Sequence, residues 1–342
     1  MQTFKPKRVL FEQGALDYPL GEKLYTQFKN DKDVAVTIIG SHNRVIGIPG
    51  KSPQEGFKEA KKTLVVGVRK SSDFQTCKPS AHYQLPLSTS CPGMCEYCYL
   101  HTTLGKKPYL RIYVNIHEVL AKAKEYIDGR LPEITVFEGA ATSDPLALEH
   151  LTGNLEETIR FFSGESHGRF RFVTKYAEVN SLLNINHNGN TRFRFSINTP
   201  YVITKFEHNT PGLKERLAAA RKVAKAEYPL GFIIGPVIIY DGWEDDYKSL
   251  FLSLQNDLQK VVKEAITFEI ITHRYTTRAK NNIMDIFPNT DLPMDEEERQ
   301  LKYGQFGYTK YLYPKEDMKS INNIFKGMIG KYFPNSKIEY FV

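Results

Sequence analysis

The sequence lacks a long apolar run, a secretory signal and the cysteines that a disulfide-bonded protein needs. No stretch reaches about 18 apolar residues, the length that would span a membrane. Residues 1–6 show no apolar core of a signal peptide. Only 4 cysteines occur in 342 residues, which excludes a disulfide-rich scaffold. These absences predict a cytoplasmic protein without a membrane partner.

The composition is that of a globular protein with a modest excess of basic residues. Hydrophobic residues make up 41% and charged residues 25% of the chain, which is ordinary for a protein with a large core. The net charge of +7 arises from 46 basic and 39 acidic residues. This excess favours a polyanionic partner without establishing one. Neither an internal repeat nor a low-complexity tract occurs.

Three of the four cysteines lie in one short loop, residues 88–100. Cys91 and Cys95 are separated by three residues, and Cys95 and Cys98 by two. This spacing arranges three thiolates around one side of a cubane iron–sulfur cluster and leaves the fourth iron without a protein ligand. An open metal position is typical of a catalytic site, as it is in zinc enzymes.

Other uses of the three cysteines stay open at this point. A structural zinc ion needs a fourth ligand, which His101 is near enough in sequence to supply. The spacing itself resembles the cluster signature of the radical S-adenosylmethionine (radical SAM) superfamily, including an aromatic residue, Tyr97, before the last cysteine. In that superfamily SAM chelates the open iron, and an electron from the 4Fe–4S cluster cleaves SAM to a 5'-deoxyadenosyl radical.

Hydrophobic periodicity predicts an α/β protein with three parts. Residues 1–80 form a small mixed unit, residues 81–280 a β/α series, and residues 281–342 a C-terminal extension. The predicted strands of the series cover residues 83–87, 134–138, 170–174, 193–197, 231–239 and 266–272. The helices between them cover residues 116–127, 154–162, 179–183, 213–227 and 246–258. Such alternation implies a parallel sheet, and six units predict a partial (β/α)6 TIM-type barrel rather than a closed eightfold one.

The parts that flank the series contain further predicted elements. The N-terminal unit is expected to hold a helix over residues 16–28 and strands over 34–39 and 64–68. In the extension a charged helix is expected to begin at Asp295. A helix over 317–332 and a strand over 337–341 then close the chain.

Polar residues and glycines follow each predicted barrel strand, at the end where parallel barrels place their chemistry. Beyond the cysteine loop, the residues at these strand ends are Ser143, Lys175, Ser196, Asn198, Gly235, His273 and Arg274. A barrel that served only as a core would have no reason to carry polar side chains there.

The extension contains a segment, residues 302–315, that interleaves aromatic residues, glycines and lysines. Such a composition suits a nucleic-acid strand, because rings stack on bases and lysines neutralise phosphates. An ordinary hairpin that packs on the barrel fits the composition equally well. The candidate nucleic-acid contacts are Lys302, Tyr303, Gln305, Tyr308 and Lys310.

Longer segments resemble the spore photoproduct lyase family of radical SAM enzymes. The matching segments are residues 18–21, 67–70, 91–100, 102–105, 107–109, 172–175, 187–198, 228–232, 242–244 and 267–271. The resemblance implies repair of the ultraviolet-induced spore photoproduct in DNA to two thymines. The deoxyadenosyl radical would remove a hydrogen from C6 of the lesion, and the methylene bridge would then break. A flavodoxin-type or ferredoxin-type electron donor is also implied.

The resemblance assigns roles to single residues. Ser143, Lys175 and Ser196 are implied to hold SAM, and we add Asn198 and Gly235 from the strand ends as candidates. Tyr97 and Tyr99 are implied to return a hydrogen atom to SAM after repair. A lesion in duplex DNA must be flipped out to reach such a site. His273, Arg274 and the five hairpin candidates are expected to contact the DNA or the lesion.

One departure from the family concerns the hydrogen donor. The family carries Cys-Thr-Ser-Asp where this chain has residues 141–144, so Ala141 replaces the cysteine that would quench the thymine radical. Two explanations are open: Ala141 is an engineered substitution, or another thiol serves. Cys77 is the one cysteine outside the loop and lies beside Lys78 on a polar segment. We predict Cys77 as the substitute donor, although a small buried structural residue is the default use of a lone cysteine.

A second departure lies in the hairpin segment. The family carries an arginine where this chain has Gln305, so Lys302 or Lys310 is expected to supply the missing contact. Two other functions stay open from the sequence. They are a radical SAM enzyme with a different substrate, and a zinc-stabilised DNA-binding module without catalysis.

Overall fold

The computed structural model describes residues 3–40, 45–70, 73–101, 103–259, 261–263, 265–303 and 309–342. The strands in these ranges are β1 (Arg8–Glu12), β2 (Ala35–Ile39), β3 (Thr63–Gly67), β4 (Thr76–Cys77), β5 (Ala81–Gln84), β6 (Ser88–Thr89), β7 (Met94–Cys95), β8 (Leu110–Tyr113), β9 (Thr135–Glu138), β10 (Gly168–Thr174), β11 (Thr191–Ile197), β12 (Glu207–His208), β13 (Leu230–Val237), β14 (Thr267–Thr272), β15 (Gln300–Tyr303), β16 (Thr309–Leu312) and β17 (Lys337–Phe341). The α-helices are α1 (Pro19–Lys29), α2 (Pro53–Ala60), α3 (Ile116–Asp128), α4 (Glu149–Thr152), α5 (Asn154–Ser163), α6 (Pro200–Phe206), α7 (Leu213–Lys225), α8 (Trp243–Leu258), α9 (Thr277–Ile286) and α10 (Lys315–Tyr332). Short 3₁₀ helices cover Gln13–Asp17, Tyr99–His101, Pro145–Leu148 and Asn180–Leu182.

The chain divides into two compact units. The first unit comprises residues 1–92 and 106–192, and the second comprises residues 93–105 and 193–342. The cysteine loop is therefore shared, since Cys91 belongs to the first unit and Cys95 and Cys98 belong to the second.

The first unit contains a sheet in the order β2–β1–β3–β8–β6, in which only β6 is antiparallel to its neighbour. Its central strands are almost continuously apolar, which is typical of parallel strands buried on both faces. Val9, Leu64 and Ile112 are buried there and belong to one core with Leu24 and Phe28 of α1. Strand β8 comes from beyond residue 80, and periodicity failed to predict both β1 and β8.

The remaining strands of the first unit form the run β4–β5–β9–β10. Strands β5, β9 and β10 are parallel, whereas β4 pairs with β5 as an antiparallel hairpin. Helices α3 and α5 bury one apolar face each, as their 3.6-residue periodicity predicts. The predicted strands over 134–138 and 170–174 are confirmed within one or two residues at each end.

The second unit contains the parallel run β11–β13–β14–β17 with helices α7, α8 and α10. A polar layer, formed by Arg194 on β11, Glu269 on β14 and Tyr340 on β17, crosses this run. The guanidinium of Arg194 contacts both carboxylate oxygens of Glu269 at 2.8 and 2.7 Å, and the Tyr340 hydroxyl donates to the same carboxylate. A Cβ on the intervening Gly231 would come within 3.0 Å of Arg194 Cγ and 2.5 Å of the Thr267 hydroxyl. Glycine at that position therefore lets the ion pair form across β13.

The predicted charged helix at Asp295 is wrong. The Asp295 carboxylate accepts a hydrogen bond from the Glu297 backbone N–H at 3.0 Å, and Arg299 N–H donates to Glu296 O at 3.2 Å. Short acidic side chains compete with the helix in this way, so residues 295–299 turn directly into β15. Among the described residues, none of the helices combines the length and the apolar character that a membrane crossing requires.

Candidate active site

The backbone around the first cysteine is fixed within the first unit. Ser90 N–H donates to Thr142 O at 2.8 Å, and Ser90 pairs with Ser143 as an isolated parallel bridge. The Ser90 hydroxyl donates to Pro108 O at 2.9 Å. The buried Lys61 ammonium reaches Cys91 O at 2.8 Å. Hydrogen bonds to Thr142, Pro108 and Lys61 therefore fix the backbone from which the Cys91 side chain projects.

The loop after β9 and the end of β10 present polar groups beside this backbone. The Asp144 carboxylate accepts from the Thr174 hydroxyl and from Lys175 N–H, each at 2.8 Å, and so joins the two strand ends. The Ser143 hydroxyl oxygen is buried and has no hydrogen-bond partner among the described residues. A buried polar atom without a partner is costly, which indicates a place for a polar ligand. The orphan hydroxyl and the strand-end lysine suit a ligand with ammonium and carboxylate groups, as the amino-acid end of SAM has.

In the second unit the loop carrying Cys95 and Cys98 is held by backbone hydrogen bonds. Cys98 N–H donates to Cys95 O at 3.3 Å, and His101 N–H donates to Cys98 O at 3.0 Å. Strand β7 pairs with β12, which aligns Cys95 with Glu207. Glu96 also joins the loop to this unit, because its carboxylate accepts from His208 Nε2 at 2.6 Å and from the Thr290 hydroxyl. The loop geometry is thus set by its surroundings.

The two tyrosines of the loop occupy different environments. The Tyr97 hydroxyl donates to Glu207, whose other carboxylate oxygen contacts buried Arg216 at 2.5 Å. Burial raises the pKa of Tyr97 well above its usual value, and the Glu207 charge raises it further. Tyr99, in contrast, is 63% exposed. Tyr97 is therefore a fixed, neutral phenol, whereas Tyr99 is accessible.

The strand-end residues of the second unit are placed differently from one another. Ser196 is buried on β11 and its carbonyl accepts from Arg216 at 3.0 Å. The Asn198 amide donates to Pro236 O at 2.8 Å, and its oxygen accepts from the Tyr247 hydroxyl at 2.7 Å. Asn198 thus holds two strand ends together. A Cβ at Gly235 would meet Ile271 Cβ at 3.0 Å, so a side chain there is tightly restricted.

The donor geometry tells against a structural zinc ion. Among the described residues, no group of three His, Cys, Asp or Glu side chains is close enough to hold one metal ion. A zinc site needs its ligands on a single ion, whereas the thiolates of a cubane bind different irons. His101 Nε2 lies 3.2 Å from Cys95 O and is engaged with that carbonyl. None of the three loop cysteines is in a disulfide bond, so the donor set fits an iron–sulfur cluster.

Cys77 is the last residue of β4, and the turn that follows it is hydrogen-bonded through Glu138 to the loop that carries Ala141. The Ser80 hydroxyl donates to the Glu138 carboxylate at 2.7 Å, and the other Glu138 oxygen accepts from Ala140 N–H at 3.1 Å. Glu138 therefore links the turn that follows Cys77 to the residue before Ala141. The Cys77 side chain is half-buried.

The predicted DNA-binding residues divide into exposed and interior ones. Lys302 faces Lys310 across the β15–β16 hairpin, and Tyr303 is 77% exposed. His273 is interior, at 2% exposure, and its carbonyl accepts from Arg299 at 3.1 Å. Burial and Arg299 lower the pKa of His273 to about 3, so its ring is neutral.

The other predicted DNA-binding residues are Arg274, Gln305 and Tyr308. Arg274 is half-buried, and burial lowers its pKa. Gln305 and Tyr308 lie outside the described residues. The base of the hairpin is clamped by Arg299, which lies 3.7 Å from the centroid of the Tyr313 ring.

Sequence reasoning missed the charged residues that position the site. They are Lys61, Glu138, Glu207, Arg216 and Arg299. A signal was available for Arg216, because it shares a helix face with buried Ala220 and Val223. A charged residue on an otherwise apolar helix face predicts a buried partner. The identity of that partner, Glu207, depends on the tertiary fold.

The fold and site together define an α/β iron–sulfur enzyme of the radical SAM class. The family model described as spore photoproduct lyase matches residues 4–342. The chain belongs to the spore photoproduct lyase family. It is 50% identical over 337 residues to the spore photoproduct lyase of Clostridium acetobutylicum, covering 98% of each chain. It is 47% identical over 338 residues to that of Bacillus subtilis, covering 99% of this chain and 98% of the relative.

Solved structures extend the similarity to the whole fold. A spore photoproduct lyase complexed with dinucleoside spore photoproduct matches with a TM-score of 0.97 at 47% identity and covers 100% of both chains. A double variant, with one cysteine changed to alanine and one serine changed to cysteine, matches with a TM-score of 0.97 at 48% identity and 100% coverage of both chains. That variant carries bound AdoMet and dinucleoside spore photoproduct. The chain therefore has the α/β fold of these structures.

Proposed function

We propose that this chain repairs the spore photoproduct in DNA to two thymines, with SAM and a 4Fe–4S cluster on a partial (β/α)6 barrel. The observation that carries the proposal is the end-to-end match to lyases solved with AdoMet and with the lesion dinucleoside. Cys91, Cys95 and Cys98 would hold the cluster. When bound, the cluster supplies the electron that cleaves SAM reductively. The electron donor, of flavodoxin or ferredoxin type, and the division at residues 80 and 280 remain predictions.

The chain's own residues would bind and orient SAM. Lys175 offers a cation to the carboxylate of SAM, and Ser143 offers a hydroxyl that has no hydrogen-bond partner among the described residues. Asp144 holds the loop of Ser143 against the strand end of Lys175, because its carboxylate accepts hydrogen bonds from the Thr174 hydroxyl and from the Lys175 backbone N–H. Ser196 and Gly235 stay candidates for binding SAM.

Cys77 is the proposed hydrogen donor in place of Ala141. Its S–H bond would break as a C–H bond forms on the thymine radical, which completes a methyl group. The sulfur radical would then take a hydrogen atom from Tyr99, Tyr99 from Tyr97, and Tyr97 from the methyl group of 5'-deoxyadenosine, which would allow SAM to re-form. Two observations support this: Glu138 ties the Cys77 turn to the Ala141 loop, and a solved relative has lost one cysteine to alanine and gained another.

Changing Cys77 to alanine is expected to leave radical formation from SAM intact but to prevent the quenching of the thymine radical. SAM cleavage should stay within about twofold of the unsubstituted chain, whereas intact thymines should fall by ~10-fold or more and adducts should rise. The measurement is an anaerobic product analysis with the lesion dinucleotide. Adding Ala141→Cys to the Cys77→Ala chain should restore clean repair. An unchanged product ratio in Cys77→Ala would exclude Cys77 as the donor.

We propose that the β15–β16 hairpin contacts the DNA strand around the lesion. Lys302 and Lys310 are directly opposite each other on this two-stranded sheet. Like charges in that arrangement destabilise a hairpin by themselves, so a polyanionic partner would stabilise it. The exposed ring of Tyr303, at 77%, offers a surface for stacking on a base, and Leu301, at 41%, offers an apolar contact.

Removing both hairpin lysines is expected to weaken duplex binding and leave the chemistry intact. In the double variant Lys302→Gln/Lys310→Gln, affinity for the duplex should fall by ~10-fold at moderate salt. The slope of log affinity against log salt concentration should become shallower by the contribution of about two phosphate contacts. Turnover of the free dinucleotide should not change. The matched control is Lys319→Gln/Lys326→Gln on α10, where both side chains are exposed. Equal losses in the two double variants would reject a specific role for the hairpin.

A further inference from the structure

Among the described residues, the buried arginines are paired with carboxylates, whereas the buried lysine, Lys61, is not. Each buried arginine lies within ion-pair distance of a glutamate. The pairs are Arg111 with Glu12, Arg171 with Glu138, Arg194 with Glu269, and Arg216 with Glu207. Lys61, only 8% exposed, has no carboxylate at that distance among the described residues. A buried charge without a counter-charge is costly, so its presence requires an explanation.

The contacts of Lys61 are all with neutral groups. Its ammonium donates to Cys91 O at 2.8 Å and to the Ser90 hydroxyl at 3.2 Å. It also lies 5.4 Å from the centroid of the Phe57 ring. Two of the three ammonium N–H groups therefore have oxygen acceptors, and among the described residues no carboxylate at ion-pair distance compensates the charge.

The position of Lys61 is fixed by the chain around it. The residue caps the C-terminus of α2, where its N–H donates to Phe57 O, and β3 begins two residues later. A helix C-terminus favours a cation, but that effect falls off within the last turn. The ammonium instead reaches the carbonyl of the first cysteine of the loop. The charge is therefore directed at the cluster-binding segment.

We propose that Lys61 is a positioning residue that supplies the counter-charge for the cluster and sets its reduction potential. The inference rests on the proposed role of Cys91 as a cluster ligand. A 4Fe–4S cluster with three thiolates carries a net negative charge, which grows by one unit when the cluster accepts an electron. A cation held at the ligand's own carbonyl stabilises the reduced form more than the oxidised form. Charges and hydrogen bonds around the sulfurs are established determinants of cluster potential.

The test compares four variants of the full, cluster-reconstituted chain with the unsubstituted chain, in a redox titration followed by electron paramagnetic resonance without SAM. In Lys61→Met and Lys61→Gln, the equilibrium constant for reduction should fall by ~10-fold, which lowers the potential by about 59 mV for one electron. Lys61→Arg keeps the charge and should stay within about twofold of the unsubstituted chain. Lys62→Met, which removes a neighbouring charge paired with Glu59, should leave the potential unchanged.

Iron content, measured on the same samples, distinguishes two results that would each contradict the inference. If Lys61→Met and Lys61→Gln bind the normal amount of iron at an unchanged potential, the inference is wrong. If both variants lose their iron, Lys61 is only a structural clamp on Cys91, and the potential-setting role is likewise rejected. An unsubstituted chain that takes up no cluster would contradict the proposed function, and this inference with it.

Discussion

Changing Cys98 to alanine is expected to abolish repair, with a loss of more than ~1,000-fold in rate and a clear fall in bound iron. In the proposed site each thiolate of the loop would be the protein ligand of a different iron, so the other two cysteines could not replace it. The surrounding backbone is fixed by hydrogen bonds from Cys98 N–H and His101 N–H. His101 is itself held against Cys95 O. His101 is therefore not available to move into the vacated position.

The matched control for this variant is Cys77→Ala. Both changes remove a cysteine that is not disulfide-bonded, but of the two only Cys98 is assigned to the cluster. Iron and sulfide analysis, together with the visible absorption of anaerobic samples, should distinguish them, with full iron retained in Cys77→Ala. Full iron and normal SAM cleavage in Cys98→Ala would contradict the assignment of the loop.

Changing Glu269 to alanine is expected to lower the free energy of unfolding by about 3–5 kcal/mol. Glu269 and Arg194 are each 1% exposed and are joined by two hydrogen bonds. Removal of the carboxylate leaves the Arg194 guanidinium buried without a counter-charge, and it also leaves the Tyr340 hydroxyl without its acceptor. Denaturant unfolding of the iron-free chain under reducing conditions measures the change.

Two controls define the origin of this effect. Glu125→Ala removes a carboxylate that is 66% exposed and paired with Lys122, and it should cost at most about 1 kcal/mol. The double variant Arg194→Met/Glu269→Met removes both charges and should recover much of the loss, because apolar side chains of similar volume can replace a buried ion pair. A Glu269→Ala variant as stable as Glu125→Ala would show that the polar layer contributes little.

The sequence could predict features that depend on local pattern. The alternation of strands and helices in residues 81–280 follows from periodicity, and the structure has these elements with small shifts at their ends, except that a three-residue 3₁₀ helix, Asn180–Leu182, replaces the predicted helix over residues 179–183. The cysteine spacing is equally local and identifies the class of cofactor. Capping signals were also present but unused, since Ser52 accepts from Glu55 N–H at the start of the missed helix α2.

Features that depend on distant residues were not predictable in this way. Arg194 and Glu269 are 75 positions apart in the chain, and their contact depends on the register of three strands and on Gly231. Lys61 meets Cys91 only because the end of α2 reaches the backbone beside the loop. The wrong helix at Asp295 has the opposite cause: a local side-chain hydrogen bond to Glu297 N–H outweighed the helical pattern.

The most direct test of the account is an anaerobic repair assay of the unsubstituted chain in D₂O, with SAM, a reductant and the lesion dinucleotide. A thiol exchanges its hydrogen with solvent, whereas carbon-bound hydrogens of SAM do not. We predict clean conversion to two thymines, one of which carries a single deuterium in its methyl group. SAM cleavage that gives mostly adducts, or thymines without deuterium, would contradict Cys77 as the donor. An absence of any conversion of the lesion would contradict the proposed function itself.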